Sequence, residues 1–147
     1  MKRKIFITLC AALLVVVLTV AFAGCLKISM KKNSVIQRLS DQGYTIKYSS
    51  YSEEIDGYQK NGVHIDDIVF ATKDENAVDE EGKPAISFVR MFYCTDTDSA
   101  DWVEEMVKKF RDDNKYELVT NKRIEIYRYE NIIFVGDFES VAIARNY

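Results

Sequence analysis

An uncharged apolar run near the N-terminus constrains this chain more than any other feature. The run covers 22 residues, from Ile5 to Leu26, and directly follows the basic residues 2–4. About 20 apolar residues are enough to span a bilayer as a helix. A helix that is apolar on all sides cannot form one half-buried layer of a water-soluble domain. We therefore expect the folded part of the chain to begin after this run.

The end of the run carries a short motif, in which Cys25 follows Phe22, Ala23 and Gly24. A basic start, an apolar stretch and small residues before a boundary are typical of an export signal. The four residues resemble the lipobox of bacterial lipoproteins. The resemblance implies cleavage between Gly24 and Cys25 and attachment of a diacylglycerol to the Cys25 sulfur, with the freed amine open to acylation.

The lipobox resemblance divides the chain into three parts. Residues 1–24 would be a lipoprotein signal peptide, residues 25–32 a lipidated tether and residues 33–147 a single extracytoplasmic domain. The lipid on Cys25 would hold the domain at the outer face of the cell membrane, because two acyl chains make such an attachment stable. The alternative is an uncleaved single-pass anchor, since the run is also long enough to be a transmembrane helix.

The part of the chain after the run is acidic. The chain has 20 Lys and Arg residues, three of which precede the run, so 17 remain against 23 Asp and Glu residues. A surface with this excess of negative charge repels phosphate backbones. The composition therefore predicts that nucleic acid is not a partner.

Two acidic stretches, residues 74–81 and 96–101, raise the question of a metal site. In the second stretch Ala100 stands where a calcium loop needs an oxygen ligand. The first is a run of charges of the kind that is typical of a solvated loop. His64, the one histidine, falls short of the three or four ligands of a zinc site. We therefore predict no metal and no other cofactor.

Cys94 would be left without a disulfide partner within the domain after cleavage. It ends a strand-like stretch, which predicts a buried and unreactive thiol. A catalytic Cys94 would need His64 as its base, but two unlinked residues do not make a catalytic constellation. No other set of catalytic residues is recognisable, so the sequence predicts that the domain is not an enzyme.

Residues 33–147 show alternating helical and strand periodicity, which predicts the order α-β-β-β-α-β-β-α. The expected helices cover 33–43 and 98–114 and follow Asp137, and the expected strands cover 44–51, 65–74, 85–95, 117–129 and 132–136. The polar stretch 52–62 contains two turn signals, Asp-Gly and Asn-Gly, and is expected to be a loop.

This order predicts an α+β fold, namely a mixed, mostly antiparallel sheet of about five strands with helices packed on one face. A helical crossover makes the two strands that it joins parallel if they share a sheet. The β-α-β-β tail is partly ferredoxin-like. It is also similar to that of small lipoproteins of low-GC Gram-positive bacteria, a resemblance that brings no catalytic residues.

Tyrosines supply the candidate binding face. The chain has nine Tyr and eight Phe residues. Tyr127 and Tyr129 point to one face of their expected strand, and Tyr93 lies on another strand. If helices cover only one face of the sheet, the other face stays half exposed. Because tyrosine combines a large contact area with a polar tip, we predict that Tyr93, Tyr127 and Tyr129 bind a partner.

These observations predict a membrane-anchored extracytoplasmic lipoprotein that binds a protein or envelope partner and performs no chemistry. One alternative is a hydrolytic or metal-assisted enzyme, which requires the acidic stretches 74–81 and 96–101 to meet in one pocket. The other alternative is a single-pass, membrane-anchored structural subunit of a larger assembly.

Overall fold

A computed structural model describes residues 30–49 and 53–146. The apolar run, the cleavage position and Cys25 lie outside the described residues. Among the described helices, none has the length and apolar character needed to cross a bilayer. The described packing begins at Met30, which is buried, so it extends into the segment that the sequence predicts as tether.

Helices and strands alternate along the described part of the chain. The helices are α1 (Lys32–Asp41), α2 (Glu53–Lys60), α3 (Thr97–Asp112) and α4 (Phe138–Arg145), with a short 3-10 helix at Lys115–Leu118. The strands are β1 (Thr45–Tyr48), β2 (Ile65–Lys73), β3 (Ser87–Cys94), β4 (Ile124–Tyr129) and β5 (Ile132–Asp137).

The five strands form one sheet in the order β1-β2-β3-β5-β4, and every neighbouring pair is antiparallel. The predicted α+β class and the predicted number of strands are confirmed. The sheet is not mixed, which corrects that part of the prediction. Strands β3 and β4 do run in the same direction, but β5 lies between them, so the crossover through α3 never produces a parallel pair.

Helices cover both faces of the sheet, which corrects the expectation of helices on one face. On one face, α1 and α4 bury a cluster that we call the front core, and on the other face α2 and α3 bury the back core. The reason is visible in the central strands. Apart from Arg90 and Tyr93, every residue of β3 is buried, and a strand that is buried on both faces needs a cover on each.

The sequence did not predict the 3-10 helix, which overlaps the start of the expected strand 117–129, so that β4 begins only at Ile124. Helix α2 was not predicted either. Only Ile55 of its eight residues is buried, while Tyr58, one turn later, packs against the back core. A single apolar anchor gives too weak a periodicity to be recognised beside two turn signals. The first of those signals, Asp56-Gly57, lies inside the helix.

The sequence predicts Asp98 and Asp137 as helix caps and a capping box of Ser34 with Gln37 for α1, and the structure agrees only in part. Asp137 is the N-cap of α4, as predicted, and its carboxylate accepts a hydrogen bond from the Ser140 amide at 3.1 Å. Helix α3 is capped by Asp96, which accepts from the Ser99 amide at 2.7 Å, and not by the predicted Asp98. The expected capping box of α1 is absent, because α1 starts at Lys32 without a side-chain cap.

We predict that Gly136→Ala strongly destabilises the domain. A Cβ at this position of β5 would lie against the Phe88 carbonyl oxygen and 2.7 Å from the Val89 Cα. Both obstacles are backbone atoms of β3, so the sheet itself would have to open. We expect the free energy of unfolding to fall by at least about 3 kcal/mol in chemical denaturation.

Gly57→Ala is the matched control for this change. A Cβ on Gly57, in the middle of α2, meets nothing within 4 Å. Alanine is the better helix former, so this variant should gain about 0.5–1 kcal/mol. Equal stability of the two variants would contradict the close approach of β5 to β3.

Candidate functional site

The two ends of the sheet differ in their relation to the N-terminal segment. The chain enters the fold at Met30, and the Lys32 ammonium binds the Asp67 carboxylate at 2.5 Å. Asp67 pairs with Tyr93 near the C-terminus of β3. We call this end of the sheet the tether end. The opposite end, where β3 begins at Ser87, is the distal end.

The two acidic stretches lie at opposite ends of the domain. Residues 74–81 follow β2 at the distal end, whereas residues 96–101 follow β3 at the tether end. The eight residues of β3 separate them by about 25 Å. The pocket between these stretches that the enzyme alternative required is therefore not formed. Within the described ranges, no three His, Cys, Asp or Glu side chains come together in a group that could hold a metal ion.

A groove of about 460 Å³ lies at the distal end. We call it the distal groove. Its lining comes from three separate segments: the end of the acidic loop, the C-terminal turn of α3 with the 3-10 helix, and the connection into β4. The lining residues are Lys83, Pro84, Arg111, Asn114, Tyr116, Glu117, Thr120, Asn121, Lys122 and Ile124.

Backbone contacts hold the three segments of the distal groove together. Ala85 and Thr120 form an isolated antiparallel bridge. The Asn121 amide donates to the Pro84 carbonyl at 2.8 Å, and the Asn121 side chain donates to the Asp79 carboxylate at 2.5 Å. Asp79 also accepts from the backbone amide of Lys83 at 2.8 Å. These contacts give the groove a defined shape and lower the pKa of Asp79 through the hydrogen bonds that its carboxylate accepts.

The floor of the distal groove is aromatic. The Tyr116 ring lies 6.0 Å from the Phe88 ring, between their centroids. Burial raises the pKa of the Tyr116 phenol to about 12, so this side chain stays neutral at physiological pH. Pro84 and Ile124 are also half buried in the lining. A ligand in the groove would therefore meet an uncharged, largely apolar floor.

The rim of the distal groove is basic. Lys83, Arg111 and Lys122 line it, against one acid, Glu117. The Lys122 ammonium donates to the Ser87 hydroxyl at 2.6 Å, and among the described residues it has no carboxylate partner. This excess of cations among the lining residues contrasts with the acidic composition of the domain, although Lys83 pairs with Glu81 and Arg111 with Asp112. No sequence motif predicts this group of cations, because the three residues come from separate segments of the chain.

The predicted tyrosine face is covered in part by α1 and α4. Tyr93, Tyr127 and Tyr129 all pack against the front core. The Arg145 guanidinium lies 3.6 Å from the centre of the Tyr127 ring. Within the described structure the Tyr93 hydroxyl is buried without a hydrogen bond, and burial raises its pKa above the usual value. The structure therefore corrects the premise of a sheet face left open for a partner.

Cys94 is buried in the back core, as the sequence predicts. Burial, with a smaller contribution from Asp96, raises the pKa of its thiol to about 12. A thiol with such a pKa is almost fully protonated at neutral pH and is a poor nucleophile. The backbone carbonyl of His64 accepts a hydrogen bond from the Thr95 amide at 3.0 Å.

The sequence does not predict the buried polar network that lies at the distal end. The Asp137 carboxylate accepts from the Phe88 amide at 2.7 Å and from the Ser140 hydroxyl at 2.5 Å. The Tyr44 hydroxyl is 2.8 Å from the Ser140 hydroxyl. The two carboxylate oxygens and both hydroxyls have partners, so the network ties β3, α4 and the start of β1 together and contains no free nucleophile.

Comparisons with protein-family models, with curated proteins and with solved structures find no significant match to this chain. The candidate site therefore depends on the residues and geometry of this chain alone. Of the features described, the distal groove is the one that combines a concave shape with a half-buried cation, Lys122, that has no carboxylate partner in the described structure.

We predict that Cys94 resists alkylation in the folded protein. Iodoacetamide reacts with the thiolate, which burial disfavours at this position. Peptide mapping by mass spectrometry should find Cys94 unmodified at pH 8 in native buffer and modified in denaturant. Rapid modification of Cys94 without denaturant would contradict its burial.

Proposed function

We propose that this protein is a lipid-anchored extracytoplasmic binding module and that the distal groove is its ligand-binding site. The observation that carries the proposal is the position of the groove, at the end of the sheet opposite the point where the N-terminal segment enters the fold. An anchor at Cys25 would hold the tether end toward the membrane and present the groove outward.

The length of the connecting segment supports this orientation. Met30 lies five positions after Cys25, and an extended chain spans at most about 3.6 Å per residue. The folded domain would therefore begin within roughly 18 Å of the lipidated residue. The distal groove would lie farther out by about the length of β3, where an envelope component or an exported protein can reach it.

The chemistry of the lining favours binding over catalysis. A nucleophile needs a base within hydrogen-bond reach, and a general acid–base pair needs two titratable groups that converge. The lining contains neither histidine nor cysteine, and Glu117 is its one carboxylic acid. A concave site with an apolar floor and a few polar groups at its rim is instead typical of ligand recognition.

One prediction from this proposal concerns the lipid anchor at Cys25. Cys25→Ala should abolish incorporation of labelled palmitate and cause the uncleaved precursor to accumulate, because the sulfur that carries the lipid is lost. Metabolic labelling and electrophoresis of membrane fractions measure both effects. Cys94→Ala, which leaves the motif intact, is the control. Unchanged size and anchoring of the Cys25→Ala protein would show an uncleaved anchor instead.

Another prediction from this proposal concerns the distal end, which would face away from the membrane. Leu118 lies on the 3-10 helix beside the distal groove and is 82 % exposed. A photo-crosslinking amino acid at position 118 should give a specific adduct on whole cells, and the same probe at Lys60, near the tether end, should not. Adducts at position 60 only would place the binding surface elsewhere and contradict the role of the groove.

A further inference from the structure

The charges around the distal groove indicate the chemical class of its ligand. After the apolar run the chain has more acidic than basic residues, yet three of the four charged residues that line the groove are cations. Such a departure from the average charge is informative where the side chains converge on one concavity, since charge focused in a cleft attracts ligands of the opposite sign. Resting on the proposed function of this groove, we propose that it binds a carboxylate or phosphate group carried on a small apolar body.

Lys122 is the central residue of this proposal. Its side chain is half buried, and its ammonium donates to the neutral Ser87 hydroxyl at 2.6 Å. None of the described carboxylates forms an ion pair with it. An ammonium has three donors, and only one has a partner in the described structure, so an added anion would find free donors and would supply the opposite charge that the Ser87 hydroxyl lacks.

Arg111 supplies the second cation. Its Nε binds the neighbouring Asp112 at 3.0 Å in an exposed pair, and its two terminal nitrogens have no hydrogen-bond partner among the described residues. A guanidinium fork with free terminal nitrogens matches the two oxygens of a carboxylate or phosphate. Lys83 contributes less, because its ammonium already pairs with Glu81 at 2.7 Å.

The floor of the groove selects the rest of the ligand. Pro84, Tyr116 and Ile124 offer apolar contacts below the cations. A free inorganic anion would leave these contacts unused, whereas an anionic group on an aromatic or aliphatic body would bury apolar surface against them. The groove therefore distinguishes phenyl phosphate or benzoate from inorganic phosphate.

Substitution of Glu117 tests the proposal, because a loss of stability alone would not increase the affinity of the groove for an anion. This exposed acid lines the groove and forms no ion pair within the described structure. Its charge opposes an anion in the groove. Glu117→Gln should therefore raise the affinity for an anion several-fold, while a groove that binds a cation or a neutral ligand would show a loss or no change.

The experiment is calorimetric titration of the full chain in non-ionic detergent with phenyl phosphate, benzoate, inorganic phosphate and phenol. We expect phenyl phosphate and benzoate to bind more tightly than inorganic phosphate or phenol, and their affinities to fall as sodium chloride rises. A stronger response to one of the first two identifies phosphate or carboxylate as the preferred group.

Variants locate the site. Lys122→Gln and Arg111→Gln should each weaken phenyl phosphate binding by about tenfold, the effect of losing one charge-assisted hydrogen bond. Lys122→Arg should retain binding. Lys60→Gln makes the same charge change near the tether end and should have no effect. Thermal unfolding checks that each variant folds, and Arg111→Gln, which alters only an exposed pair, serves if Lys122→Gln is unstable.

Two outcomes would overturn the inference. One is the absence of heat with phenyl phosphate and benzoate up to about 20 mM, a concentration that saturates even millimolar sites. The other is equal affinity for phenol and phenyl phosphate, which would leave the groove as a binding site but show that it does not select anions. The crosslinking at position 118 tests the groove's role independently of its preference for charge.

Discussion

Burial of the central strands on both faces is the constraint on which the rest of this structure depends. Strand β3 lies in the middle of the sheet, and its alternate residues enter the front core and the back core. Two layers of helices are needed to cover it. The insertion of β5 beside β3 then requires a close backbone approach at Gly136, which only a residue without a Cβ permits. The placement of helices on both faces of the sheet follows from this requirement.

The distal end is held by polar contacts that complement this apolar core. Asp137 joins the start of β3 to the first turn of α4 through the Phe88 amide and Ser140. One residue before Phe88, the Ser87 hydroxyl accepts from Lys122 in the distal groove. The groove therefore lies beside the start of β3, and its cation Lys122 is positioned by the same strand that organises the core. A site supported by a buried strand can keep its shape without a ligand.

Much of the fold could be predicted from the sequence, because strong patterns are local. Helix α3 and the strands β2, β3 and β5 carry long apolar runs or stripes. Helix α2 could not be predicted, since Ile55 is its one buried residue. The prediction of helices on one face only was wrong because β3 is apolar on both faces: Val89 and Met91 enter the front core, and Phe92 and Cys94 enter the back core.

The sequence by itself determined the apolar run that contains Cys25, the acidic balance of the remainder and the α+β class, because each of these depends on composition or on short-range periodicity. Only the tertiary structure decided where a concave groove with basic lining residues forms. Lys83, Arg111 and Lys122 are far apart along the chain, and they meet because the Ala85–Thr120 bridge brings their segments together at the distal end. Neither spacing nor residue type indicates such a meeting, since it depends on long-range pairing of the sheet.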